Sequence, residues 1–138
     1  MLATEVTEGE FKGWKTWTEE PFEHDTAGPF YMRTDEKGQV AAFRAQRKHM
    51  NAGGVMHGGC LMTFADFALF AIAHHGMEGV YGLTSEFLDG ALEGELIEAR
   101  GEVLRQGRSI TFVRGIVTAN DRPVLNFSGT IKLRKPKT

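Results

Sequence analysis

The chain is poor in the residues that build covalent and metal frameworks. It has one cysteine, Cys60, so it has no internal disulfide and no zinc-type Cys/His spacing. A free thiol fits a reducing, cytoplasmic setting, and no metal or separate cofactor is expected. It also lacks a membrane-length apolar run. The longest, Gly59 to Ala73, is fifteen residues with Asp66 inside it, short of the roughly 20 that a bilayer span needs. Neither sign of charge dominates: the net charge is −2 with no long basic block, which argues against nucleic acid as a partner. The start, "MLATEVTEGEFKGWKTW", has neither a basic opening nor an apolar centre and does not read as a signal peptide.

What is present is globular. Hydrophobic residues make up 41% and charged residues 25% of 138 positions, the size of one ordinary domain. No repeat, linker or low-complexity segment divides it. One domain over 1–138 is expected, with 1–28 as an N-terminal extension and 29–138 as the core.

Two textures alternate along the core. "PFYMRT" (29–34) and "QVAAFRAQRKH" (39–49) read as strands joined by the polar turn "DEKG". After residue 95 the pattern has period two: Leu125, Phe127, Gly129, Ile131 and Leu133 alternate with Asn126, Ser128, Thr130, Lys132 and Arg134. The short connectors "RQGR" and "ANDR" imply antiparallel hairpins. Residues 60–73 read as a helix: twelve of the fourteen are apolar and only Ile72 is a β-branched aliphatic. A helix apolar nearly all round must be enclosed. The expected fold class is therefore α+β, one long central helix wrapped by a curled antiparallel sheet of five to six strands. "FKGWKTWTEEPF" suggests a further short helix ended by Pro21, and Trp14 and Trp17 either cap a substrate tunnel or pin the N-terminal segment to the body.

The stretch "NAGGVMHGGCLMTFADFALFAIAHH" (51–75) carries the chemistry. Its glycines lead into the helix start, where unpaired N–H groups and a partial positive charge favour an oxyanion and a missing side chain permits close approach. A tight loop entering the core would also use them. Asp66 is costly inside an apolar helix unless paired, and acids in enclosed clefts are disproportionately functional. It follows Gly58 by eight residues, about 12 Å along a helix. Both cannot touch one carbonyl, so a shared site needs Gly58 of one chain and Asp66 of a second copy. His74 and His75 follow the helix end, where histidine meets the dipole favourably. Cys60 reads as a small packing residue. Met62, Phe67, Phe70, Ala71 and Met77 are the candidates for lining an apolar tunnel.

Asn51, five residues, His57-Gly58-Gly59, then Asp66 nine residues after the histidine resembles the motif of hot-dog-fold acyl-CoA thioesterases of the PaaI-like and thioesterase-superfamily-member type. The similarity runs over most of residues 37–134. The resemblance implies an acyl-CoA thioesterase in which the Gly58 N–H holds the thioester carbonyl oxygen, helped by Asn51, with His57 positioning the loop. Asp66 of a partner subunit would act as general base on water, or as nucleophile. Thr84, eighteen residues after Asp66, would hold that water, with Ser85 beside it. Coenzyme A, as part of the substrate, would lie near "RQGRS", against Gly59, Gly107, Arg108 and Ser109, with Arg105 as a further phosphate partner. A homodimer, or a tetramer built as a dimer of dimers, follows from the same resemblance. The chain departs from many relatives at "EFLDGALEGE", where a longer segment with a proline is common. Two rivals stand beside this reading. A hydratase on the same fold would carry a catalytic histidine in a motif such as His-Phe-x-Gly-His, which is missing here. The other is a non-catalytic acyl-CoA-binding module.

Overall fold

The computed structural model describes residues 2–73 and 77–133, without the side chains of residues 77, 78, 80, 81 and 133. His74, His75 and the basic tail with Pro136 lie outside the described residues, as does the Met77 side chain. The elements run β1 (Thr4–Glu5), β2 (Lys15–Thr16), a π-helical turn (Pro21–Ala27), β3 (Tyr31–Asp35), β4 (Gly38–Arg44), a 3₁₀ turn (Arg47–His49), α1 (Gly58–Ala73), β5 (Met77–Phe87), β6 (Leu96–Gln106), β7 (Ile110–Ala119) and β8 (Arg122–Leu133). All described strands join one sheet, ordered β1-β2-β3-β4-β6-β7-β8-β5, and every pairing is antiparallel. α1 packs against β4, β5, β6, β7 and β8, so the sheet curls round it.

The period-two pattern becomes two faces. On β7, Thr111, Val113, Gly115, Val117 and Ala119 are buried, while Phe112, Arg114 and Ile116 are exposed. The inner face and α1 share a core centred on Phe30, Phe43, Phe64 and Phe67, whose rings meet at 4.7–6.4 Å. Glycines on the inner face make room for the helix at Gly129 and for a ring of the neighbouring strand at Gly115. A Cβ on Gly129 would stand 2.5 Å from Leu69, and one on Gly115 2.5 Å from the Phe127 ring. The β7–β8 turn at Asn120 and Asp121 has both residues at positive φ, 46° and 70°, the twist a two-residue hairpin favours.

The N-terminal extension departs from expectation, and the sheet has eight strands where five to six were expected. The added strands are the two-residue β1 and β2. No helix forms over "FKGWKTWTEEPF". Instead a turn at Gly13 (φ +90°) brings Trp14 against Phe11 at 5.3 Å, on the sheet side away from α1. Pro21 opens the π-helical turn instead of ending a helix, since proline at a first helical position forfeits only an N–H that has no partner there. β4 stops at Arg44, short of residue 49, because the chain turns inward to bury His49.

Candidate active site

Residues 50–57 form a closed loop at the start of α1. Asn51 builds it: its N–H donates to the Val55 carbonyl at 2.7 Å, and its Oδ1 accepts from the N–H groups of Gly53 (2.8 Å) and Val55 (3.3 Å). A bridge between Met50 and Met56 closes the loop, and Gly54 takes a positive φ of 84° that a side chain would oppose. Asn51 therefore shapes the loop, and its side-chain amide N–H groups have no acceptor among the described residues.

His57 caps the helix. Its Nδ1 accepts from the Gly59 N–H at 2.8 Å, and its carbonyl accepts from the N–H groups of Cys60 (2.9 Å) and Leu61 (3.2 Å). The Gly58 N–H is left without an acceptor among the described residues. The helix start thus offers one free donor at the positive end of the dipole, next to a residue with no side chain.

Asp66 lies two turns further along, half-buried, with no hydrogen bond or ion pair among the described residues. Burial, then the charge of Glu20, pushes its carboxyl above the usual 3.8. Glu23 is pushed further, to about 8, by burial, then by Asp66 and Glu20. An unpaired carboxylate made more basic by its surroundings suits proton abstraction. The Cys60 thiol is pushed up to about 11 by burial, so it stays protonated and is a poor nucleophile, in line with a packing role.

These acids reach Asp66 because the N-terminal extension folds back over α1. Trp17 packs edge-on to Phe67 at 5.1 Å. The buried His49 ring, which sequence reading passed over, bonds the Ala27 carbonyl through Nε2 at 2.7 Å and accepts the Gln46 N–H at Nδ1 at 2.9 Å. Lys48 donates to the Gly28 carbonyl. Of the two roles expected of the tryptophans, both pin the extension to the body. Between extension and helix start lies an open pocket of about 520 Å³, lined by Phe22, Thr26, Ala27, Lys48, His49, His57, Gly59, Cys60 and Thr63. Asn51, His57, Gly58 and Gly59 are together at its mouth or on its loop.

Thr84 does not join them. Along β5, Leu83 and Ser85 face α1, and the Ser85 hydroxyl reaches the Met62 sulfur at 2.7 Å. Thr84 faces the opposite side of the sheet, exposed beside Leu104, Phe112, Ser128 and Thr130. Two register shifts in β5, between Met77 and Gly79 and between Val80 and Gly82, each insert one residue, so together they leave the alternation beyond Gly82 in phase, with Leu83 and Ser85 inward and Thr84 outward. Phe67 and Ala71, expected in an acyl tunnel, are fully in the core, while Met62 and Phe70 are half-buried. Arg100, on β6, is half-buried in a paired contact with Asp35. Gly107, Arg108 and Ser109 sit at the β6–β7 tip, closed by Gly107 N–H to the Ile110 carbonyl at 2.8 Å; Arg108 and Ser109 are exposed. That tip lies past the C-terminal end of α1, since Gly101, partway along β6, already abuts Ile72. One chain therefore holds its Gly58 loop and its "RQGRS" turn at opposite ends of the helix.

Residues 53–125, just over half the chain, match the thioesterase superfamily. The chain belongs to the thioesterase superfamily. This thioesterase is 34% identical over 115 residues to a Pseudomonas aeruginosa protein named as a candidate esterase, covering 79% of this chain and 86% of that one. Its fold is shared by the PaaI protein of the Escherichia coli phenylacetic acid degradation operon, with a TM-score of 0.69 at 22% identity over 77% of this chain and 80% of that chain. It is shared too by a hypothetical thioesterase of Streptococcus pneumoniae crystallised with coenzyme A, with a TM-score of 0.68 at 18% identity over 79% and 91%. The thioesterase has a hot-dog fold, and it is a thioester hydrolase. No group of acids, histidines or cysteines among its described residues could hold a metal ion, and no described helix is long and apolar enough to cross a membrane.

Proposed function

We propose that this thioesterase hydrolyses acyl-CoA thioesters whose acyl group is mostly apolar, medium aliphatic or aryl. One observation carries the reading: a free Gly58 N–H at a glycine-rich helix start, on the helix that also bears the unpaired, half-buried Asp66. The thioester carbonyl oxygen accepts from Gly58 N–H, which stabilises the oxyanion as it forms. Asp66 takes a proton from water as the water oxygen bonds to the carbonyl carbon. The tetrahedral intermediate then collapses, the C–S bond breaks, and the proton passes from Asp66 to the departing coenzyme A sulfur.

The two groups come from different chains in this reading. The sites eight residues apart on α1 are about 12 Å from each other, and a two-fold pairing that lays two α1 helices antiparallel closes that gap. It would also carry the partner's "RQGRS" turn towards Gly58, where exposed Arg105, Arg108 and Ser109 could meet coenzyme A phosphates. The unpaired edge of β5 supports such pairing. It ends in exposed Phe87 and Leu88, at 58% and 53%, and Phe87 lies against Gly58; long apolar edges are seldom left uncovered. The Streptococcus pneumoniae relative with coenzyme A, and a Streptococcus mutans protein of the same fold bound to acetyl CoA, support the choice of thiol.

Lys48 is the lysine or arginine of the described pocket lining, and it spends one of its three donors on the Gly28 carbonyl, so a second carboxylate on the acyl group would have to rely on this one side chain, and succinyl-CoA is the substrate that tests it. Release of free thiol from hexanoyl-, phenylacetyl- and succinyl-CoA tests the proposal. Turnover of the first two above the third is expected, and no turnover of any acyl-CoA would overturn it.

A further inference from the structure

We propose that the N-terminal segment 17–28 is a wall of the substrate cleft, and that Phe22 is a specificity residue that contacts the acyl group. The inference rests on the acyl-CoA reading and goes further by naming what reads the acyl chain.

The segment is built onto the site, not draped over it. It is held at Trp17 by Phe67, at Ala27 by the buried His49 ring, and at Gly28 by Lys48. Gly28 itself is hemmed in: a Cβ there would stand 2.4 Å from the Glu23 carbonyl oxygen and 2.8 Å from the Phe30 nitrogen. The turn as folded therefore admits only glycine at this position. Between these anchors the π-helical turn presents its residues to α1. Glu23 lies within the field of Asp66, and Phe22, Thr26 and Ala27 line the pocket with His57, Gly59 and Thr63.

Phe22 is the misfit in that set. It is 63% exposed, although it lines a pocket instead of packing into one of the two cores nearby. A phenyl ring left facing a cleft gains most when another apolar group covers it. The same cleft is lined by Gly59, the residue after the free Gly58 donor. On this assignment a thioester held at Gly58 turns to this ring its acyl arm, the apolar one of the two that leave the carbonyl carbon.

The test compares S-hexyl-CoA, a thioether that cannot be hydrolysed, with coenzyme A itself. Affinities are measured by calorimetry on wild-type protein, Phe22→Ala and Phe22→Leu, beside hexanoyl-CoA hydrolysis by the same proteins. Wild-type protein should prefer the hexyl thioether by about tenfold or more, as apolar pocket contacts typically discriminate. Phe22→Ala should lose most of that preference and Phe22→Leu should keep part of it, with circular dichroism unchanged because the ring is largely exposed. If the preference is the same in wild type and Phe22→Ala while hexanoyl-CoA is still hydrolysed, the wall assignment is wrong and the thioesterase reading stands. If wild-type protein neither binds the thioether nor hydrolyses hexanoyl-CoA, both fall. If it hydrolyses hexanoyl-CoA but shows no hexyl preference, only the Phe22 assignment falls.

Discussion

Replacing Gly58 with proline would remove the free N–H donor from the site and leave a pyrrolidine ring at the first helical position. Gly58 is the first residue of α1, a position where proline is tolerated because its ring already holds the helical φ and no intrahelical bond is lost. Its N–H has no acceptor among the described residues, whereas the next three N–H groups are all bonded to His57. The added Cβ would approach the Phe87 ring at 3.1–3.2 Å, a contact that the ring relieves by giving a few tenths of an ångström. Gly58→Ala brings the same Cβ and keeps the N–H. Loss of one oxyanion donor typically costs about 10²–10³ in kcat, or about 2.7–4 kcal/mol of transition-state binding. Gly58→Pro should show that loss at nearly unchanged melting temperature, and Gly58→Ala should stay within about tenfold of wild type on the same scale. The assay is steady-state thiol release from hexanoyl-CoA. Equal losses in the two variants would show that crowding at Phe87, not the missing donor, explains the effect, and the oxyanion assignment would be refuted.

Three further outcomes follow from the same geometry. Mixing Gly58→Pro protein with Asp66→Asn protein under conditions that exchange subunits should restore about a quarter of wild-type activity, because half the dimers are mixed and each has one intact site; mixed dimers without activity would sink the shared site. Asp66 must be ionised to accept a proton, so kcat/KM should fall as pH drops through an apparent pKa above 3.8, and Glu20→Gln should move that limb to lower pH; an unmoved limb would exclude Glu20 as a cause. Glu23 has its folded-state pKa raised from 4.5 to about 8. Its contribution to stability is present below the unfolded value and lost as pH rises through the folded one. The melting temperature should therefore decline from pH 5 to 9 more steeply in wild type than in Glu23→Gln.

Much of this fold is written in local pattern, and the reasons it stops are specific. β7, β8 and the opening residues of β6 were legible because one face is buried and one is wet, which forces period two. α1 was legible because no strand of that length would be so rich in alanine and leucine. The same all-round hydrophobicity concealed which of its residues line the cleft, so Phe67 and Ala71 were read as tunnel and proved to be core. Thr84 was expected from its spacing after Asp66, but a spacing across a helix–strand junction does not say which face of the strand a residue takes, and its neighbour Ser85 is the hydroxyl that faces α1. The loop residues Asn51, His57 and Gly58 came together as their spacing suggested, since the glycine turn that joins them is local. Glu20, Phe22 and Glu23 were not legible as site residues. Their stretch, "TEEPFEHD", is simply acidic, and only the long-range anchors at Phe67, His49 and Lys48 bring it to Asp66.

The most direct test of the whole account is the turnover number of Asp66→Asn on a substrate that the wild type hydrolyses. Asparagine keeps the shape of the side chain and removes its basicity, and Asp66 has no hydrogen bond or ion pair among the described residues to lose. The melting temperature should hold while kcat for thiol release from hexanoyl-CoA falls by about 10²–10⁴, the usual contribution of a general base. A variant that folds as wild type and turns over within a few-fold of it would contradict the account at its centre.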